Sequence, residues 1–283
     1  MNHDFIPDNV ELWIVNWKRK EALNQTLRSW LSSGFDFREK TIKVVSNHSS
    51  ITQESIDQDL QPMVEVRRNV MRHDNSLGPT SRNYNEAYVH TFLTGTKKWC
   101  MCAHDNMNIK SGWSDAIKDS NYDLYIAPQG DQIHVVSLEG LRTFGWWDER
   151  YSSNGHHELD YLSRALHRCL NNKQAKASLV DIHWWENNSR YTVGNRLNYN
   201  DIGLSDFWER MDKSSIPQSG SKGFKFDVLC DSWQTKKWGT SKASEQGYQT
   251  TIKGVERGPL VEEHNWYCWL DLADLTVASV GIR

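Results

Sequence analysis

The chain has 283 residues, of which 33 are Lys or Arg and 36 are Asp or Glu, with a formal net charge of −3. This length is enough for one large domain or two modest ones with a proper core. The two signs are interspersed, which argues against a nucleic-acid-binding or polybasic membrane-binding protein. Five cysteines without CxxC spacing support neither a disulfide framework nor a zinc knuckle. No signal-like N-terminus or membrane-length apolar stretch is visible, so we expect a soluble, cytoplasmic protein.

Tryptophan is unusually frequent, with 14 residues that include the pairs Trp146/Trp147 and Trp184/Trp185. Indole faces stack on the C–H faces of sugars, and Trp is enriched at binding surfaces. For any single Trp, burial in the core is nevertheless the commoner outcome. The composition therefore leaves two alternatives open, a sugar-binding surface and an aromatic core.

The first part of the sequence alternates short apolar runs with a helical pattern. Leu23, Leu27 and Trp30 recur at helical spacing, and Gly34 ends that helix. Strand, helix and strand at this spacing are typical of βαβ units and a mainly parallel sheet. The predicted strands cover residues 11–15, 41–47 and 63–66.

Ligands of parallel sheets bind beyond the carboxyl ends of the strands. Asn16 and Arg19 follow the first predicted strand, and Asn47 closes the second. We therefore expect these three side chains, together with Ser46, on the functional edge of the sheet.

A turn at Gly78 and Pro79 precedes a helix that is predicted to run to about Leu93. Arg82 lies in its first turn, where the helix dipole disfavours a cation. This placement suggests that Arg82 faces an anion such as a phosphate. An ordinary surface salt bridge is the alternative.

An apolar strand over residues 98–103 ends in His104, Asp105 and Asn106. A buried strand that delivers an acid and amides to its exposed end is a place to hold a hard divalent cation. Asp and Asn also form ordinary turns, so spacing alone does not decide between the two.

Two further strands, over residues 122–127 and 133–138, lead to a turn rich in glycine and tryptophan at 144–150. A helix follows, and its first turn carries Glu158 and Asp160. Acids at a helix start are favoured by the dipole. A carboxylate held ionised there while facing a cleft has the arrangement that a general base needs.

A last strand over residues 178–185 carries His183 near its end, and the pattern fades after Asn187. We therefore predict a core over residues 1–190. Residues 191–283 are predicted to form a C-terminal extension that wraps this core, so that the two make one continuous domain.

These motifs, in this order over residues 10–185, resemble the nucleotide-sugar glycosyltransferases of the GT-A fold. The shared features are a strand ending in a DxD-like cluster, a Gly-Trp-Trp turn, and a helix that begins with acids and continues to Arg164. The resemblance implies an α/β fold of the GT-A, Rossmann-like class. It has a mixed, mainly parallel sheet flanked by helices, with the C-terminal extension packed on it.

In inverting members of that family, an acid of this helix deprotonates the acceptor hydroxyl. Aligned on Arg164, Glu158 takes the position of the base, Asp160 takes the last acidic position, and His157 replaces the first acid. The resemblance thus implies that Glu158 is the general base. Asp160 would orient the acceptor or cap the helix.

The same resemblance assigns a donor site. Asp105 stands at the place of the DxD motif, which implies Mn²⁺ or Mg²⁺ on the diphosphate of a UDP-sugar, and His183 stands where some members add a ligand. Arg82 and Asn83 resemble the Arg-Asn found near the donor sugar and nucleotide. The remaining candidates beside the nucleotide are Asn16, Arg19 and Asn47.

The acceptor platform is assigned to four residues: Trp146, Trp147, His157 and Trp184. A narrower similarity to glycosyltransferases of large algal DNA viruses, which act on capsid glycans, implies xylose as the sugar and a fucose-containing glycan or glycoprotein as the acceptor. The alternatives are a non-catalytic carbohydrate-binding protein or lectin, and a different α/β enzyme. No GxGxxG, Walker-type loop or GxSxG elbow supports the latter.

Overall fold

The computed structural model describes residues 1–70, 80–127, 130–149, 151, 156–171, 176–179, 185–187 and 236–237. The strands are β1 (Val10–Asn16), β2 (Ile42–Ser46), β3 (Val64–Arg68), β4 (Trp99–His104), β5 (Met107–Ile109), β6 (Leu124–Ala127), β7 (Gly130–Ser137), β8 (Ala177–Leu179) and β9 (Trp185–Asn187). The α-helices are α1 (Lys20–Leu31), α2 (Thr80–Tyr88), α3 (Trp113–Lys118), α4 (Leu138–Phe144) and α5 (His156–Asn171). A π-helical turn, Val89–Thr94, continues α2, and short 3₁₀ turns lie at Pro7–Asn9 and Gln53–Ser55.

Seven strands form one sheet in the order β3-β2-β1-β4-β7-β6-β8. β1 pairs in parallel with β2 and β4, β2 pairs in parallel with β3, and β6 pairs in parallel with β8. β7 runs antiparallel between β4 and β6. This confirms the predicted mixed, mainly parallel α/β sheet. β5 and β9 pair separately as an antiparallel two-stranded sheet.

The sheet has a hydrophobic core on each face because successive strand residues point to opposite sides. On β1, Leu12 and Ile14 join the core that includes Leu23 and Leu27 of α1. Trp13 joins the other core, which lies under α2, α4 and α5. The sheet is therefore the middle layer between helices. Among the described residues, no helix is long and apolar enough to span a bilayer.

Helix α4 is a feature that the sequence pattern did not predict. Its start is fixed by Ser137, whose hydroxyl accepts a hydrogen bond from the backbone N–H of Gly140 at 2.8 Å. It ends at Gly145, which has a φ of 79°, a backbone angle that favours glycine. The last residue of β7 is thus also the N-cap of α4, so the helix follows the strand without a loop.

β4 carries two thiols in the middle of the sheet. Cys100 and Cys102 are fully buried on the same face, and their sulfur atoms lie 3.9 Å apart. Burial, and then the neighbouring Cys100 thiol, raises the pKa of Cys102 well above its ordinary value. Cys169 on α5 is only partly buried.

A partly buried histidine lies beside the sheet at the end of α2. His90 stacks on Trp13 with ring centroids 5.6 Å apart, and its Nδ1 lies 2.9 Å from Nη1 of Arg67. Burial, and then the cations of Arg67 and Lys43, lower the pKa of His90 below its ordinary value of 6.5, although Glu65 acts in the opposite direction. The folded chain therefore favours neutral His90.

This shift gives stability a pH dependence. The contribution of neutral His90 is fully present above the unfolded-state pKa of 6.5 and is lost as the pH falls below that value towards the lower folded-state pKa. We expect His90→Gln to lose less stability than the wild type between about pH 7.5 and about pH 5.5. Urea unfolding at the two pH values measures this difference. Equal losses in both proteins would assign the pH dependence to other groups.

Candidate functional site

Polar side chains lie at the ends of four neighbouring parallel strands. Asn16 is the last residue of β1, Asn47 follows β2, Asn69 follows β3 and Asp105 follows β4. Parallel strands bring their carboxyl ends to one edge of a sheet. The strand order therefore brings Asn16, Asn47 and Asp105 to a common edge of the sheet.

Four buried asparagines, Asn16, Asn47, Asn69 and Asn83, form what we call the amide network. The Nδ2 group of Asn69 donates to Oδ1 of Asn47 at 3.0 Å and to Oδ1 of Asn83 at 2.9 Å. Asn47 donates to the backbone oxygen of Asn16 at 3.3 Å, and Asn16 donates to Oδ2 of Asp105 at 2.7 Å. The network therefore joins three strand ends, α2 and Asp105.

Asn69 is the member that the sequence analysis missed. The predicted third strand ended at Val66, whereas β3 continues to Arg68, so Asn69 did not stand out as a strand-end residue. Its backbone N–H donates to the carbonyl of Ser46 at 2.9 Å, which continues the parallel pairing by one residue. A strand prediction extended by two residues would have placed it on the edge.

Three buried polar atoms at or beside the amide network have no hydrogen-bond partner among the described residues. They are Oδ1 of Asn16, Nδ2 of Asn83 and Oγ of Ser81. An unsatisfied buried polar group costs about 1–3 kcal/mol. Such groups in a folded protein call for a specific explanation, and a bound molecule supplies one.

Asp105 is fully buried, and both its oxygens are engaged by this chain. Oδ2 accepts from Asn16 and, at 3.2 Å, from the backbone N–H of Trp17, while Oδ1 pairs with the guanidinium of Arg19. Burial raises the pKa of Asp105 above its ordinary value, although Arg19 and His104 oppose the rise. The predicted candidates Asn16, Arg19 and Asp105 thus meet in one cluster.

This donor set does not fit a divalent cation. A guanidinium lies directly on the one carboxylate, and the other oxygen already accepts two hydrogen bonds. Within the described ranges, no three His, Cys, Asp or Glu side chains are grouped so that they could hold a metal. The second predicted ligand, His183, lies outside the described residues.

The first turns of α2 face the Gly-Trp-Trp turn. Arg82 Nε donates to Oε2 of Glu149 at 3.0 Å, and Asn85 Nδ2 donates to Oε1 at 2.9 Å. Asn85 also exchanges two hydrogen bonds of 2.9 Å with the backbone of Trp147. Arg82 is therefore engaged in a salt bridge, the alternative that the sequence left open, while its neighbour Asn83 belongs to the amide network.

The two tryptophans of that turn lie in the core. Trp147 is fully buried and stacks on Tyr161 of α5, with ring centroids 4.1 Å apart and an interplanar angle of 6°. Its Nε1 donates to the hydroxyl of Tyr88 at 2.9 Å. Trp146 is 6% exposed. The predicted acceptor platform of Trp146 and Trp147 is corrected accordingly, since these rings offer no open face to a sugar.

Arg164 of α5 forms hydrogen bonds with the backbone of the Gly-Trp-Trp turn. Its Nη1 donates to the backbone oxygen of Phe144 at 3.0 Å and also to that of Trp146. Its guanidinium lies 5.0 Å from the centroid of Tyr161. The arginine on which the family motif was aligned therefore holds the turn and the helix in one unit.

Four buried ionic side chains, Asp148, Asp160, Arg164 and Lys237, form what we call the charge cluster. Asp160 pairs with Arg164 at 2.8 Å and with Lys237 at 2.7 Å, and Lys237 also pairs with Asp148 at 3.0 Å. Burial opposes ionisation of Asp160, but Lys237 and Arg164 outweigh it and lower the pKa of this carboxyl. The carboxylate that was predicted to orient the acceptor or cap the helix is thus held by two buried cations.

α5 begins at His156, and Glu158 lies in its first turn, as the sequence predicted. His157 is buried, with its ring 5.7 Å from that of Trp147, so it packs against the turn. The base role of Glu158 stays a prediction. Trp184, the remaining acceptor candidate, lies outside the described residues.

No family model matches the sequence, and no curated protein matches it either. Solved structures are similar in shape. TarS from S. aureus is 10% identical, with a TM-score of 0.49 over 88% of this chain and 81% of that chain. TarS in complex with UDP is 11% identical, with a TM-score of 0.46 over the same shares. Mannosyltransferase PcManGT from Pyrobaculum calidifontis, in complex with GDP-Man and Mn²⁺, is 9% identical, with a TM-score of 0.45 over 87% of this chain and 73% of that chain. Similarity at this level establishes neither the family nor the activity of the chain.

Proposed function

We propose that this chain is a nucleotide-sugar glycosyltransferase whose donor site is the amide network together with Asp105. The observation that carries this proposal is the set of buried polar atoms beside four neighbouring strand ends that no described residue satisfies. Open α/β sheets bind their ligands at this edge. Sugar transfer is inferred as the reaction because the order of the motifs along the chain resembles that of the GT-A glycosyltransferases.

The unsatisfied atoms suit a nucleoside. Oδ1 of Asn16 needs a hydrogen-bond donor, Nδ2 of Asn83 needs an acceptor, and the Ser81 hydroxyl can act as either. A pyrimidine base offers an N–H group and carbonyl oxygens, and ribose offers hydroxyls. A nucleoside therefore offers complementary groups for these atoms, which it reaches once the residues that cover them move aside.

The proposed transfer is a single in-line displacement. Glu158 accepts the proton of an acceptor hydroxyl while that oxygen bonds to the anomeric carbon of the sugar. The bond between the anomeric carbon and the diphosphate oxygen breaks in the same step, and UDP leaves with the electron pair. The configuration at that carbon is inverted. Arg19, whose side chain is 24% exposed beside Asp105, supplies positive charge near the diphosphate.

The finer assignments follow from the resemblance alone. UDP-xylose is the first donor to test, and a fucose-containing glycan is the first acceptor. Burial of Trp146 and Trp147 removes two of the tryptophans that favoured the lectin alternative. Sugar-binding modules are also more often all-β proteins, whereas this sheet is mainly parallel.

Thermal denaturation with UDP, GDP and their sugar derivatives tests the donor site. A ligand of the native state stabilises it by RT ln(1 + [L]/Kd), about 2.7 kcal/mol at a hundredfold excess over Kd. We expect UDP to raise the midpoint of the wild type. Asn83→Ala should weaken UDP binding by about tenfold, the worth of one lost hydrogen bond.

Asn24→Ala is the matched control. Asn24 is also buried, but its amide bonds the backbone at Lys20, Ser55 and Asp57. This variant should be less stable and keep the full UDP-dependent shift. A wild type that responds to no nucleotide contradicts the proposal. Repeating the series with Mn²⁺ shows whether residues beyond the described ones complete a metal site.

A further inference from the structure

The charge cluster joins distant parts of the chain. Lys237 comes from the predicted C-terminal extension, and its buried ammonium lies 3.0 Å from Oδ2 of Asp148 and 2.7 Å from Oδ1 of Asp160. These two acids are the ends of one segment, 148–160, which contains Glu158. The ammonium group of Lys237 therefore links the first and the last residue of this segment.

Among the described side chains, the cluster pairs two carboxylates with two cations, and each of the four is at most 4% exposed. Asp148 and Asp160 repel each other, and burial strengthens that repulsion. Arg164 is also committed to the carbonyl oxygens of Phe144 and Trp146. Within the described part of the chain, Lys237 thus bridges the two acids. Removing one partner of a buried ionic group leaves an uncompensated charge.

We propose that Lys237 is a positioning residue, which holds the ends of segment 148–160 together and thereby sets the start of α5. The catalytic consequence rests on the proposed function, because it concerns the placement of Glu158. The mechanical consequence, which is the ordering of the backbone at the start of α5, does not depend on that function. Glu158 lies two residues before Asp160 in the first helical turn, so the anchor of Asp160 fixes the backbone from which Glu158 projects.

Hydrogen exchange followed by mass spectrometry tests the mechanical part. In Lys237→Met, we expect the amides of residues 160–165 to exchange at least about tenfold faster than in the wild type. The amides of β1, β2 and β4 should keep their protection. Lys236→Met is the matched control, since it makes the same change at the neighbouring exposed lysine, and it should behave like the wild type.

A second variant separates positioning from charge balance. Within the charge cluster, Asp148→Asn combined with Lys237→Met leaves Arg164 paired with Asp160, so this variant should fold even if Lys237→Met does not. We expect the same fast exchange at residues 160–165 in this pair of substitutions. Wild-type protection in the double variant would overturn the proposal, because Lys237 would then serve only to neutralise charge.

Kinetics tests the catalytic part once a donor and an acceptor are known. The double variant should lower kcat by about tenfold or more while the KM for the sugar nucleotide stays unchanged, since the amide network lies on other elements. An unchanged kcat would overturn the link to Glu158. A wild type without transfer activity contradicts the proposed function, whereas the exchange experiment still decides whether Lys237 holds the segment.

Discussion

Glu158→Gln is expected to lower sugar transfer by about 10² to 10⁴ while UDP binding is retained. The amide preserves the shape of the side chain and removes the group that accepts the proton of the acceptor hydroxyl. Transfer rates with saturating donor and acceptor give the loss, and calorimetry with UDP gives the affinity.

Glu139→Gln is the matched control for this substitution. Glu139 is exposed on α4 and pairs with Arg142 at 3.3 Å, so the same chemical change there should leave transfer unaffected. Near-normal transfer by Glu158→Gln would remove this residue from the base role. Asp160 is not the next choice, because its carboxylate is already held by Arg164 and Lys237.

Trp147→Ala is expected to lower the free energy of unfolding by about 3–5 kcal/mol. The indole is fully buried, stacks on Tyr161 and donates to Tyr88, so its removal leaves a large cavity and an unpaired hydroxyl. Chemical denaturation monitored by circular dichroism measures the loss, because many other tryptophans complicate fluorescence.

Trp147→Phe separates the contribution of ring packing from that of the Nε1 hydrogen bond. It keeps an aromatic ring against Tyr161 and removes the Nε1 donor, so its loss should be clearly smaller than that of the alanine variant. If Trp147→Ala is nearly as stable as the wild type but binds the acceptor more weakly, the ring is an exposed platform after all. The contacts with Tyr161 and Tyr88 argue against that outcome.

The edge of the sheet that carries Asn16, Asn47 and Asp105 could be predicted from sequence. Each of these residues lies at or just after a strand with a clear apolar pattern, and parallel pairing then brings them together. Asn69 was missed because β3 ends in Glu65, Arg67 and Arg68. Charged residues on a partly exposed edge strand do not extend an apolar pattern.

The roles of Trp147 and Lys237 could not be predicted, for different physical reasons. A tryptophan in a turn packs in the core or binds a ligand depending on partners from other elements, here Tyr88 and Tyr161. A lysine in a polar stretch is normally exposed. Burial of Lys237 depends on Asp148 and Asp160, which lie 89 and 77 residues earlier in the chain, and no local pattern encodes those distances.

The thiols of β4 can be used to detect opening of the central sheet. Cys100 and Cys102 lie fully buried at the centre of the sheet, and only a thiolate attacks an alkylating reagent or a disulfide. Burial also raises the pKa of Cys102. We therefore expect oxidants and thiol reagents to modify Cys100 and Cys102 only after the sheet separates. Cys169 on α5, which is only partly buried, should be modified earlier. The order in which these thiols are modified distinguishes local fraying of α5 from global unfolding.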